Sequence, residues 1–156
     1  MAPEIDTVPT LELLADIQLD IAAVHVTPGP AGTRLTYVIG GGRCDGPALH
    51  GEFLAGGGDW VLVGADGVSR LDVRATLRTD DGALVQVTNL GRVRMPPESV
   101  ERFRAGELIR HDEMYGRSSP LFDSGDPRYE WLNGTYTLAV NEVSLTAVHY
   151  RVFAVG

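Results

Sequence analysis

The chain has 156 residues, a net charge of −8 and an apolar fraction of 44%, which is enough for one domain with a core that needs no metal or disulfide staple. The negative balance works against nucleic acid and anionic membrane partners, because that affinity rests on neutralised phosphates. All 13 basic residues are arginine, so lysine Schiff-base chemistry and the Gly-Lys-Ser/Thr phosphate loop are both excluded.

Residues 1–10 read as a loosely held segment, and 11–156 as a single β-barrel domain. Glu4 and Asp6 with no basic residue argue against a secretory leader, and no apolar run approaches the roughly 20 residues of a membrane span. With one cysteine, Cys44, no internal disulfide is possible, and a cytoplasmic setting is expected.

Glycines then punctuate short apolar runs, the pattern of an all-β sandwich or barrel. Strands are expected near Ile17–Val26, Thr33–Ile39, Ala48–Leu54 and Trp60–Val63. The clearest runs from Val68 to Thr79, with Leu71, Val73, Ala75 and Leu77 on one face and Arg70, Asp72, Arg74 and Arg78 on the other. Asp80-Asp81-Gly82 turns the chain into a partner strand, Leu84–Asn89. Pro97 opens one short helix across residues 97–106, with Glu98 and Glu101 near its positive end and Gly106 as its stop. Strands Tyr129–Val140 and Ser144–Val155 complete the set.

Several chemistries lack their motifs. There is no Gly-x-Ser-x-Gly elbow, and the glycine clusters do not match Gly-x-Gly-x-x-Gly. The four histidines (His25, His50, His111, His149) are scattered, so no metal site is expected. His111-Asp112-Glu113 reads as a solvated loop, since sequence neighbours rarely all face one ion, and Cys44 as a small buried filler.

Pairs two residues apart remain: Asp72 with Arg74, Tyr115 with Arg117, and Trp131 with Asn133. On a strand, each pair shares a face. Two readings follow. The polar face meets water over an apolar core, or it lines a barrel lumen while the apolar face packs outside. Aromatics alternating with charges favour the lumen, because Trp and Tyr are seldom spent on solvent.

Five motifs in order carry a resemblance: Gly-Gly-Arg-Cys-Asp-Gly-Pro (41–47), Gly-Gly-Asp-Trp (57–60), Leu-Asp-Val-Arg-Ala-Thr-Leu-Arg-Thr-Asp-Asp-Gly (71–82), Tyr-Gly-Arg-Ser-Ser-Pro-Leu-Phe (115–122) and Arg-Tyr-Glu-Trp-Leu-Asn (128–133). From about residue 11 onward the chain resembles the domain of unknown function 3237 family. The resemblance implies a small antiparallel β-barrel of lipocalin-like or calycin-like form, a homodimer, and a pocket at one end; some relatives are associated with cofactor-free ring closure or isomerisation. The motif residues Asp59, Trp60, Asp72, Arg74, Tyr115, Arg117, Trp131 and Asn133 all match. Arg43, Cys44, Ala75 and Gln86 depart from the family's aromatic habits and imply a reshaped pocket.

A lumen shared by Asp72, Arg74, Tyr115 and Arg117 would hold an oriented base, a phenol donor and a guanidinium for developing negative charge. Trp60, Trp131, Asn133 and Asp59 would hold the substrate. The expected function is therefore a cofactor-free cyclase or isomerase of a small, largely apolar metabolite. Two readings compete with it: a non-catalytic lipocalin-like carrier, and an interaction module in which Asp72 and Arg74 form a structural ion pair.

Overall fold

A computed structural model describes residues 4–156. Of the N-terminal segment, residues 1–3 lie outside the described residues, and Glu4–Pro9 are exposed without regular structure. At Thr10 the backbone pairs with Gly156, through hydrogen bonds of 2.8 and 3.0 Å.

Among the described residues nine strands follow: β1 Leu11–Gly29, β2 Gly32–Asp45, β3 His50–Phe53, β4 Gly58–Val63, β5 Ser69–Thr79, β6 Leu84–Arg94, β7 Tyr115–Asp123, β8 Thr137–Val143 and β9 Ala147–Val155. Every pairing is antiparallel. The sheet runs β1-β9-β8-β7-β6-β5-β3-β2-β4, and the β1–β2 and β5–β4 pairings close it into a barrel-like ring. β3 and β4 share one place in that ring. Both lie between β2 and β5, with β3 against their lower halves and β4 against their upper halves. That leaves about eight strand positions, the size at which an interior either fills with side chains or holds one small ligand.

The β5–β6 hairpin forms where alternation placed it. Gly82, at φ 93°, takes the left-handed turn position, and the Thr79 hydroxyl accepts the Ala83 N–H at 2.8 Å. Leu71, Val73, Ala75 and Leu77 point inward and are buried, while Arg74 and Arg78 point outward.

Two expectations need correcting. β1 begins at Leu11, well before Ile17, because its lower half pairs with β9. The expected strand Tyr129–Val140 forms only from Thr137. Residues Pro127–Gly134 make a 3-10 helix, with the Asp126 carboxylate accepting the Arg128 N–H at its start. Pro127 in its first turn fits a helix better than a ladder. The other helix, α1, spans Pro97–Arg104. Ser99 ties it down by donating to the Glu113 carbonyl at 2.8 Å, and Arg102 pairs with both Glu107 and Glu113.

Inside the ring the apolar side chains fall into two groups. The lower group is closed by the 3-10 helix and includes Leu14, Leu49, Leu77, Val85, Phe122, Leu132 and Val152. The upper group lies under α1 and includes Val61, Leu71, Val93, Ile109 and Met114. Ile21, Val24, Leu35, Val63, Met95, Phe103 and Val143 pack against it while only partly buried.

Candidate functional site

The partly buried side chains packed on the upper group surround a cavity of about 480 Å³. Its walls are aliphatic: Ile21, Val24, Leu35, Val61, Val63, Leu71, Val93 and Val143, with Val100, Phe103 and Arg104 of α1 at the mouth. Thr33 and Ser69 line it as well, and four further polar side chains gather in one place: Tyr37, Asp59, Asn141 and Tyr150. They occupy neighbouring register positions. Tyr37 is opposite Asp59, Asp59 opposite Val73, Val73 opposite Asn89, and Asn141 opposite Tyr150. With Ser118 on β7, these residues form a polar belt at mid-height, between the packed lower half and the hollow upper half. Few polar groups among apolar walls is the usual make-up of a small-molecule site.

Asp59 is the chemical centre of the belt. It is 8% exposed. Burial pushes its carboxyl up to about 7, aided by the nearby Asp72 charge and opposed by the Asp72 N–H, which donates to Asp59 Oδ1 at 2.9 Å. The local sequence explains that hydrogen bond. The β4–β5 ladder pairs Asp59 with Val73 and Leu62 with Arg70 but skips the positions between, and the Asp59 side chain takes the Asp72 N–H in that gap. The glycine run before Asp59 lets the backbones approach there: a Cβ on Gly57 would sit 2.5 Å from the Arg74 carbonyl oxygen. No arginine stands near enough to hold Asp59 ionised, so the carboxyl is half-protonated near neutrality, the condition in which a general base works best.

The two tyrosines stay protonated. Burial and the Asp59 charge push Tyr37 up to about 12 and raise Tyr150 further. Both phenols are therefore proton donors at neutral pH, suited to an oxygen that gains negative charge. The Ser118 hydroxyl donates to Asn141 Oδ1 at 3.1 Å.

The residues expected to share a lumen are placed differently, and this corrects the sequence reading. Asp72 and Arg74 sit on the outer wall with 43% and 65% of their side chains exposed, and Arg74 Nε is 3.7 Å from Asp72 Oδ1. Tyr115 and Arg117 are also outside, on β7, with β6 between them and Asp72. The Tyr115 ring lies between the guanidiniums of Arg94 and Arg117, 4.6 and 5.2 Å from its centroid. Trp60 and Trp131 are each 43% exposed. Asn133 is on the 3-10 helix, where it holds both backbone groups of Ser124 at 2.8 and 2.9 Å. Of the expected set only Asp59 reaches the cavity. Leu71, Val73 and their neighbours took the interior because burying them releases far more free energy than burying an ion pair.

Tyr37, Asn89, Ser118, Asn141 and Tyr150 were not anticipated. Two of them had a legible signal: Asn89 interrupts the inward series Val85, Val87, Val93, and Asn141 follows inward Ala139. A lone amide on an apolar face is a place where the fold holds something polar inside. Elsewhere, Cys44 is buried, and burial raises its thiol to about 12, which suits an inert filler. His111 lies outside, with Nδ1 2.8 Å from Glu142 Oε1. Among the described residues no three His, Cys, Asp or Glu side chains gather as metal ligands would.

Residues 9–155 match the family model described as "Protein of unknown function (DUF3237)". A UPF0311 protein of Rhodopseudomonas palustris is 32% identical over 127 residues, covering 80% of this chain and 83% of that protein. The crystal structure of the R. palustris protein of unknown function aligns with a TM-score of 0.88 at 28% identity, over 96% of this chain and 100% of that one. A crystal structure described as a beta-barrel like protein, from Acinetobacter baumannii, aligns at 0.82 with 29% identity, over 99% and 100%. The crystal structure of an enzyme from Penicillium herquei shares the fold, with a TM-score of 0.72 at 22% identity over 99% and 100%.

Proposed function

We propose that this chain, which belongs to the DUF3237 (UPF0311) family of proteins of unknown function, is an acid–base catalyst that isomerises or cyclises a small, largely apolar metabolite held in the upper cavity. The reading keeps the reaction class that the sequence led to and moves its machinery from Asp72, Arg74, Tyr115 and Arg117 to the belt. One observation carries it: a buried carboxyl raised to about 7 at the floor of an aliphatic cavity of about 480 Å³. Ionised Asp59 takes a proton from a hydroxyl or an acidic carbon of the bound molecule. Tyr150, Tyr37 and the Asn141 amide stabilise the oxygen on which negative charge develops, and protonated Asp59 returns the proton at another atom. The steps are proton transfers within one folded substrate, for which holding the reactive conformer contributes several kcal/mol. That a fungal enzyme shares the fold is compatible with catalysis and says nothing about the substrate.

The test is turnover on a panel of apolar enolisable ketones and phenols, followed by deuterium incorporation from D2O and by mass change. Wild-type activity should rise through pH ~7, and Asp59→Asn should abolish it while the panel still binds. Turnover that survives Asp59→Asn would place the chemistry elsewhere. Tight binding with no turnover in either protein would favour the carrier.

The expected homodimer is also retained as a proposal. Leu90, Leu121 and Leu138, with Tyr136 just before β8, leave an apolar outer wall on β6–β8, and sedimentation tests it.

A further inference from the structure

The outer wall of β6–β8 carries a charge pattern that the cavity does not use. Arg92 on β6 and Arg117 on β7 stand directly opposite each other, an arrangement of like charges that costs stability. Each guanidinium folds back onto its own strand: Arg92 Nη1 donates to the Gly91 carbonyl at 2.8 Å, and Arg117 Nη1 to the Gly116 carbonyl at 2.7 Å. Acidic residues are in surplus, 21 against 13 arginines, and Arg43, Arg70, Arg78, Arg102, Arg128 and Arg151 each pair with a carboxylate. Among the described residues Arg92 and Arg117 pair with none, and exposed Asp123 at the lower end of β7 pairs with no cation.

These positions are symmetric about one line. Asn89 stands opposite Pro120, and the Thr137 hydroxyl donates to the Pro120 carbonyl, so the three buried residues lie abreast. Their outward neighbours flank the line, with Leu90, Ser119 and Leu138 just above it and Thr88, Leu121 and Tyr136 just below. One step further out, Arg92 and Arg117 lie above, and Gln86 and Asp123 below.

In the aligned class of sheet packing, strands stay within about 30° of each other, so a two-fold between two such faces runs either along the strands or across them. Along the strands, each height meets itself, and Arg92 and Arg117 meet the partner's Arg92 and Arg117. Across the strands, on the line through Asn89, Pro120 and Thr137, positions above meet positions below. Arg117 then meets Asp123 of the partner subunit, Arg92 meets the partner's Gln86, and Leu138 meets the partner's Tyr136. Two copies of a chain of net charge −8 repel unless their contact is locally matched, and of the two arrangements only the second matches it.

We infer that this wall is a self-complementary interface, on which a second copy of the chain docks across the strands with Arg117 of each copy against Asp123 of the partner subunit. The inference rests on the homodimer proposed above and gives it an orientation and a charge lock.

Sedimentation velocity of the whole protein over a concentration series tests it. Arg117→Asp and Asp123→Arg should each raise the dimer dissociation constant roughly tenfold or more. Asp123→Arg also lowers the net negative charge, which by itself would favour association, so a weaker dimer reports the contact rather than the bulk charge. Mixing the two variants should restore a dimer with one chain of each, because both of its contacts then join an acid to an arginine. Should a reversal fail to fold, Arg117→Gln or Asp123→Asn takes its place and should also weaken the dimer. Variants that leave the dimer intact, or reversals that stay monomeric when mixed, would overturn the docking geometry while the homodimer stands. Wild-type protein that stays monomeric throughout would remove the homodimer and the inference with it.

Discussion

Every long strand passes through both halves of the ring, yet the halves are packed by opposite rules. Below the belt, Leu77, Val85, Phe122, Leu132 and Val152 are almost fully excluded from solvent and fill the interior. Above it, Ile21, Val24, Leu35, Val63 and Val143 are equally apolar but only partly buried, because they face one another across empty space. Residue class is the same in both halves, so hydrophobicity does not separate them. The difference lies in the caps. The 3-10 helix inserts Leu132 into the lower end, whereas α1 lies across the upper end and sends Val100 and Phe103 only to the mouth. The lower half supplies stability, and the upper half leaves room for a guest.

Truncation should expose the contrast most strongly. Phe122→Ala in the lower half is expected to cost about 3–5 kcal/mol and Leu77→Ala about 2–5, measured by urea unfolding. Leu35→Ala in the upper half should cost only about 1 kcal/mol, since its side chain already borders a void. Equal losses would mean that the two halves are packed alike.

The belt should reveal itself through pH. Asp59 has a folded-state value raised to about 7 against an ordinary 3.8, so the folded protein holds a proton that the unfolded chain releases. Stability should therefore fall as pH rises from about 4 to 7 and level off above, by on the order of 4 kcal/mol. Asp59→Asn should flatten that limb. Parallel curves for the two proteins would show that the carboxyl is not held in an apolar setting.

Filling comes next. Val61→Phe should close much of the cavity and weaken naphthalene binding about tenfold or more, with little loss of stability. Val85→Phe in the packed half should instead cost about 1–3 kcal/mol through overpacking.

Smallest of all are the outer-wall changes. Asp72→Asn and Arg74→Ala break an exposed ion pair, so stability should move by no more than about 0.5 kcal/mol; maximal turnover should stay, and loss of the Asp72 charge that helps raise Asp59 should move only the pH profile of Asp72→Asn slightly toward lower pH. A large loss of turnover in Asp72→Asn would return the chemistry to the outer wall.

The fold was readable to the extent that it rests on local rules. Alternation in Leu71–Leu77, the Asp80-Asp81-Gly82 turn and Pro97 before α1 each act within a few residues, and each element formed where those signals stood. The 3-10 helix was missed because Tyr129, Trp131 and Asn133 mimic strand alternation, while Asp126 and Pro127 start a helical turn. For the candidate site the sequence supplied Asp59 after its glycines, along with the unread hints of Asn89 and Asn141. It favoured the wrong face of β5 because alternation names two faces without saying which one is inside.

The amino-acid order by itself determined an all-β chain, its principal turns and two sets of side chains on each strand. Only closure of the ring decided which set became the interior. The apolar set gains more from leaving water than the charged set loses by staying in it. Closure also gathered Tyr37, Asp59, Asn89, Asn141 and Tyr150, which lie more than a hundred residues apart at the extremes, because hydrogen-bond register between neighbouring strands sets them at one height.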